Sequence, residues 1–100
     1  MKILILGDVM GSSGRKAINE KLPDIINNHR IDFVIVNGEN AADGGVGITE
    51  KNTLDFFKAG ADVITSGNHI WDEKETAKFI TKEKRLLRPE NSLQPSPGQG

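Results

Sequence analysis

The sequence predicts an α/β fold built on a parallel sheet. Three observations carry that prediction. Short β-branched apolar runs alternate with segments of helical periodicity. Each run ends at a glycine followed by polar residues. Those glycines, Gly7, Gly38 and Gly67, stand 31 and 29 residues apart, about one βα unit each. The order reads βαβαβα, and right-handed crossovers join strands of that kind into one sheet.

Each element has its own justification. Ile3 to Leu6 is a continuous apolar run, which predicts a strand buried on both faces. Ile18, Leu22, Ile25 and Ile26 then fall on one face of a helix, which Pro23 is expected to kink or restart. Ile31 to Val36 is the second strand. Thr49 is placed to cap a helix carrying Leu54 and Phe57, and Gly60 to end it. Ala61 to Thr65 is the third strand. Asp72 and Glu75, three apart, are arranged to cap a third helix holding Ala77, Phe79 and Ile80. Leu86 and Leu87 begin a fourth strand that Pro89 stops.

Length and composition bound the function. One hundred residues, 36% of them apolar with 11 glycines besides, suit one small globular domain. Thirteen basic and 14 acidic residues leave a net charge of −1. That balance gives no footprint for a stable nucleic-acid complex or an anionic membrane. There is no cysteine, which excludes disulfides, thiolate zinc sites and a Cys nucleophile. No apolar run approaches the roughly 20 residues of a membrane span, and Gly7-Asp8 interrupts the start that could have read as a signal peptide. The expected location is the cytoplasm. From Pro89 on, twelve residues hold three prolines and two glycines. Residues 89–100 read either as a disordered tail or as a loop in which the chain stops mid-domain.

The strand ends carry the chemistry. Asp8 follows Gly7, Glu39-Asn40 follow Gly38, and Asn68-His69 follow Gly67. Strand C-termini of a parallel sheet share one edge, where open α/β sheets bind ligands. Two carboxylates, two carboxamides and an imidazole make an oxygen-rich donor set suited to Mn, Fe, Zn or Mg. A central carboxylate can bridge two ions about 3.5–4 Å apart, the spacing that clamps an in-line phosphoryl displacement.

Longer stretches carry a resemblance. Gly7-Asp8-Val9-Met10-Gly11 with Gly14-Arg15, Asn37-Gly38-Glu39-Asn40-Ala41-Ala42-Asp43-Gly44-Gly45-Val46-Gly47, Ser66-Gly67-Asn68-His69-Ile70-Trp71-Asp72 and Leu87-Arg88-Pro89-Glu90-Asn91 resemble the YmdB-like branch of the calcineurin-like metallophosphoesterases. The resemblance runs through the whole chain. It implies that residues 1–100 are the N-terminal part of a single metallophosphoesterase domain, the βαβαβα half of its α/β sandwich. It implies a phosphodiesterase with two divalent metal ions, Fe or Mn favoured, acting on small phosphodiesters such as 2′,3′-cyclic nucleotides or RNA-derived substrates. By the same resemblance Asp8, Glu39, Asn40 and Asn68 are metal ligands, Glu39 bridging, and His69 is the catalytic imidazole. Asp8-Val9-Met10 lacks the histidine that most of the superfamily has at the first strand, which fits the YmdB-like branch. Three further histidine ligands of the family come from segments beyond this chain. The other histidine here, His29, is expected to be solvated at a helix end.

Other residues have lesser roles in this reading. Gly44, Gly45 and Gly47 form a rim over the substrate or simply a turn-rich connection. Arg15 and Arg88 are candidates for phosphate contact, against the simpler reading of solvated side chains. Trp71 packs beneath its loop or stacks a base, and Asp72 caps a helix or orients His69. Two alternatives stay open. An aspartyl-phosphate phosphatase would use Asp8 as nucleophile but wants an acid where Met10 stands. A non-catalytic nucleotide- or phosphate-binding α/β module would seat phosphate on the Gly11-Ser12-Ser13-Gly14 turn, although neither the dinucleotide fingerprint nor the P-loop pattern is present. Whether copies assemble as a homo-oligomer is left open.

Overall fold

The computed structural model describes residues 1–71, 75–91 and 96–100, with the backbone alone at Asn68 and Trp71. The elements run β1 (Ile3–Leu6), α1 (Gly11–His29), β2 (Phe33–Asn37), α2 (Glu50–Ala59), β3 (Val63–Thr65), a 3-10 turn (Asn68–Trp71) and α3 (Thr76–Phe79). The three strands form one parallel sheet in the order β1-β2-β3. The predicted α/β class and parallel topology therefore hold.

Local chemistry sets the boundaries. Met10 occupies the N-cap of α1, and Gly14 N donates to Met10 O over 3.1 Å. Pro23 does not divide this helix, which runs continuously to His29. His29 is exposed at its end, as expected. Arg30 closes α1 in the left-handed conformation, φ 53°. Asp32 then accepts from the Lys2 N–H through Oδ2 at 2.7 Å, so Ile31 and Asp32 form the turn and β2 starts at Phe33. α2 has a complete capping box. Asn52 N donates to Thr49 Oγ1 and Thr49 N to Asn52 Oδ1, both at 3.1 Å. Gly60 ends it with φ 124°, a value costly for any side chain.

The core lies on one side of the sheet. Leu4, Leu6, Val34, Val36 and Ile64 face α1 and α2, joined by Leu22, Ile26 and Phe56. Adding strands in sequential order with one hand of crossover puts both connecting helices on the same face. The Ile26 side chain of α1 accordingly packs on Gly60 at the end of α2. The shortest dimension, 19 Å, is that of one sheet and one helix layer.

Several expectations are corrected. β1 is not buried on both faces: Ile3 is 53% and Ile5 71% exposed, because among the described residues no layer covers that side and β1 is an edge strand. On α2 the core position is Phe56, with Phe57 half-buried and Leu54 turned outward. The third helix is a single turn, with Glu75 at its N-cap and no side-chain cap bond. Its expected cap at Asp72 lies outside the described residues. Leu86 pairs with Ile64 as one isolated parallel bridge rather than a full strand. Gly98 and Gln99 pack back on the domain: Arg88 N donates to Gln99 O over 2.8 Å, and Gly98 lies against buried Ile80.

Candidate active site at the strand ends

The edge is built from the β2 end outward. Beyond Leu6 the chain stays beside β2: Val9 N donates to Asn37 O (3.3 Å), Gly11 N to Asn40 O (2.9 Å), and Met10 bridges Asn40 in parallel. The Gly7–Asp8 peptide is cis. This pairing sets Asp8 next to Asn40, whose Nδ2 donates to Asp8 Oδ2 at 2.9 Å and Oδ1 at 3.2 Å. An amide whose NH2 donates to Asp8 keeps the lone pairs of its carbonyl oxygen for another partner.

Glu39 reaches the other way. Its carboxylate rests on Gly67 after β3, so close that a Cβ built there would lie 2.6 Å from Cδ and 2.8 Å from Oε1. Gly67 is thus the residue that lets the β2 carboxylate cover the β3 end. The Glu39 backbone is held by its own strand end, with Glu39 N donating to Asn37 Oδ1 at 3.2 Å. Consecutive residues just past β2 therefore serve opposite neighbours, Asn40 toward Asp8 after β1 and Glu39 toward Gly67 after β3. Gly38 is forced at the pivot: a Cβ there would sit 2.9 Å from Ile48 Cδ1 and 3.1 Å from Ile64 Cγ2.

His69 is exposed on the 3-10 turn, whose register is fixed by fully buried Ile70. Ile70 N donates to Gly67 O over 3.1 Å. The side chain of Asn68, and that of Trp71, lie outside the described residues. So the structure joins Asp8 to Asn40 and sets Glu39 over Gly67. Among the described residues no three of His, Cys, Asp or Glu stand close enough to hold an ion by themselves. Asp8, Glu39, Asn40 and the turn carrying His69 all follow strand C-termini on one edge of the sheet.

The neighbouring groups have structural duties. Arg15 is 19% exposed at its side chain and pins the glycine-rich loop, donating to Ala41 O at 2.6 Å and pairing with Asp43 Oδ1 at 2.7 Å. Its fork is engaged by the loop rather than solvated, and it props the rim from beneath. Gly45 and Gly47 take φ of 82° and 80°, which only glycine adopts without strain. Arg88 is buried rather than solvated: it is 9% exposed, donates to Pro89 O at 3.0 Å, and has a buried Nε without a partner among the described residues. Sequence reasoning did not single out Ser66, whose hydroxyl donates to Leu87 O and ties β3 to the next segment. Nor did it single out Asn37 as the acceptor that shapes the Glu39 turn. The polar residue closing an apolar run was its only signal. A cavity of about 640 Å³ between α1 and α2 is lined by Ser12, Arg15, Lys16 and Asp55 among others. None of Asp8, Glu39, Asn40 and His69 lines it.

Comparison with known proteins shows the family and the fold. The family model described as YmdB-like protein matches residues 4–100. The chain is 46% identical over 100 residues to a Bacillus subtilis (strain 168) protein named 2′,3′-cyclic-nucleotide 2′-phosphodiesterase, of which it covers 38%. A crystal structure of a hypothetical protein from Thermus thermophilus superposes with a TM-score of 0.90 at 40% identity, over all of this chain and 38% of that one. A structure described as a novel phosphatase of Mycoplasma pneumoniae gives 0.90 at 36% identity, covering 37% of its chain. The chain spans under two fifths of the length of these relatives and matches their N-terminal portion. By the family match over residues 4–100, this chain belongs to the YmdB-like protein family.

Proposed function

We propose that this chain supplies half of the active site of a metal-dependent phosphodiesterase acting on small phosphodiesters such as 2′,3′-cyclic nucleotides. The carrying observation is the strand-end arrangement: Asn40 holds Asp8, and Glu39 covers Gly67 on the same edge. The name of the Bacillus subtilis relative supports the substrate class.

The donor chemistry fits two divalent cations, with Fe or Mn preferred to Zn or Mg. Asp8, Asn40, Glu39 and Asn68 would hold the cations in this reading, with Glu39 placed between the other two strand ends. When bound, the cations supply Lewis acidity to the phosphoryl oxygens and to a water nucleophile. The protein's own residues do the rest. Asn40 orients the Asp8 carboxylate through its amide hydrogens. Ile70 anchors the turn from which exposed His69 acts. His69, as imidazolium, gives its proton to the ribose oxygen that departs when the P–O bond breaks, a contribution typically of 10²–10⁴-fold. The rim of residues 43–47, propped by Arg15, borders the substrate.

The test uses a fusion of this chain to the segment that follows the matched region in the Bacillus subtilis relative. His69→Ala should lower hydrolysis of a 2′,3′-cyclic nucleotide by at least about 10²-fold with metal content unchanged. Asp8→Asn should lower both. Full turnover in the His69→Ala fusion would refute the acid role.

A further inference from the structure

Two exposed apolar side chains stand beside the strand-end donors. Among the described residues, Ile3, Ile5 and Phe33 are exposed on the helix-free side of the sheet and Leu54 on α2. Met10, 56% exposed, and Val46, 38% exposed, are instead at the edge that carries Asp8, Glu39 and Asn40. Met10 follows Asp8 by two residues and bridges Asn40 in parallel, which puts their backbones about 4.8 Å apart. Val46 lies at the tip of the rim, held out between Gly45 and Gly47 at their positive φ. The base of that tip is fixed on the donors: Gly47 N donates to Glu39 O at 2.5 Å, and Ala42 N to Gly47 O at 2.9 Å. Met10 and Val46 therefore flank the Glu39–Asn40 pair from two sides. The rim beside them is open, since a Cβ built on Gly44 or Gly45 would meet nothing within 4 Å.

We propose that Met10 and Val46 hold the nucleobase of the substrate and so determine specificity for a nucleoside phosphodiester over a bare sugar phosphate. The inference rests on the phosphodiester reading and deepens it. Neither side chain suits the charged part of the ligand. Valine has no polar atom, and a thioether is a weak acceptor and a soft ligand, ill matched to the hard cations that carboxylates and carboxamides select. Both suit an aromatic face: a thioether packs favourably on aromatic rings, and every base presents such a face. The chemistry of the substrate supplies the match in distance. In a 2′,3′-cyclic nucleotide the phosphate spans two ribose oxygens and the base is on the adjacent ribose carbon. With the phosphate at the donors, the base falls within roughly one or two strand spacings of about 4.8 Å, the distance at which Met10 and the rim tip stand.

The experiment compares two substrates that differ only in the base. The fusion is assayed with adenosine 2′,3′-cyclic phosphate and with ribose 2′,3′-cyclic phosphate. The parent should favour the nucleotide by at least about 10-fold in kcat/KM, the scale on which apolar contacts discriminate. Met10→Ala/Val46→Ala should erase that preference, with the loss in KM rather than kcat, because a contact made equally in the ground and transition states is removed. Met10→Leu, which keeps the apolar surface, should retain it, as should Leu54→Ala, whose side chain is exposed on α2 away from the strand ends. Four outcomes would overturn the proposal: a parent without preference for the nucleotide, a double variant that keeps it, a Leu54→Ala variant that also loses it, or a double variant that does not fold, since both side chains would then be packed rather than free for a ligand. A metal-loaded parent that cleaves neither compound would overturn the phosphodiester reading itself, and this inference with it.

Discussion

Replacing Gly67 by alanine separates site from scaffold. The backbone at Gly67 is not in the left-handed region, so alanine meets no φ penalty there. The new methyl would stand 2.6 Å from Glu39 Cδ, whereas carbon contacts settle at about 3.5–4.0 Å. The carboxyl must therefore retreat by about 1 Å. It is the far end of a flexible side chain, so the cost is that of an off-rotamer torsion, about 0.5–1.5 kcal/mol. Part of that is offset by the lost backbone freedom of the unfolded chain, about 0.4–1 kcal/mol. The expected change in the chain's midpoint of thermal unfolding is within about 4 °C. If Glu39 holds metal as proposed, moving its carboxylate by about 1 Å is expected to cost on the order of 10²-fold in turnover. Gly38→Ala is the contrast. Its methyl would lie 2.9 Å from Ile48 Cδ1 and 3.1 Å from Ile64 Cγ2, both wholly buried. Overpacking of that kind costs about 1–3 kcal/mol, or upward of about 4 °C. Scanning calorimetry of the chain and cyclic-nucleotide hydrolysis by the fusion read the two effects. If Gly67→Ala unfolds as early as Gly38→Ala, or leaves turnover unchanged, the assignment of Glu39 to the space over Gly67 is wrong.

Three further outcomes follow. Thr49→Ala removes one arm of the capping box and should cost about 0.5–2 kcal/mol in urea unfolding, with no change in α1 exchange protection. Arg15→Gln should free the 41–47 loop, seen as faster amide exchange at Gly45 and Gly47, because the charged fork to Ala41 O and Asp43 is lost. Burial raises the pKa of Glu83, but hydrogen bonds from the Arg85 side chain and backbone, with its charge, outweigh this and hold the carboxyl below 4.5. A depressed folded-state pKa stabilises above the unfolded value and is lost as pH falls through the folded one. Glu83→Gln should therefore be less stable than the parent at pH 7, with the gap closing as pH drops below about 4.5. A gap that widens in acid would contradict the sign.

The sequence disclosed topology better than faces. Gly7, Gly38 and Gly67 announced the strand ends because each precedes ligand-type residues. Thr49 and Gly60 announced α2 because capping and C-terminal reversal are local chemistry. What was not legible depended on layers. The run Ile3 to Leu6 carries no mark telling one face from the other, so the exposure of Ile3 and Ile5 follows only from both helices lying on one side. Leu54 and Phe57 looked like a helix face, but a one-residue rotation puts Phe56 against Gly38 and the core. Pro23 suggested a break, yet α1 carries it without ending. At the site, the strand-end rule brought Asp8, Asn40 and Glu39 to one edge. It could not show that Asn40 serves Asp8 while Glu39 serves the β3 end, since those directions depend on the paired backbone at Met10 and Asn40. Arg15 resisted because an arginine at a helix start has no sequence signal separating a loop prop from a phosphate contact.

The central claim is that the strand ends form half of a two-metal centre. The direct measurement is elemental analysis of the purified fusion beside its Asp8→Asn variant, each checked by circular dichroism. The account predicts two divalent ions per chain in the parent and a loss of metal in the variant with the fold intact. Equal metal in both, or a folded parent without metal after exposure to Mn and Fe, would contradict it.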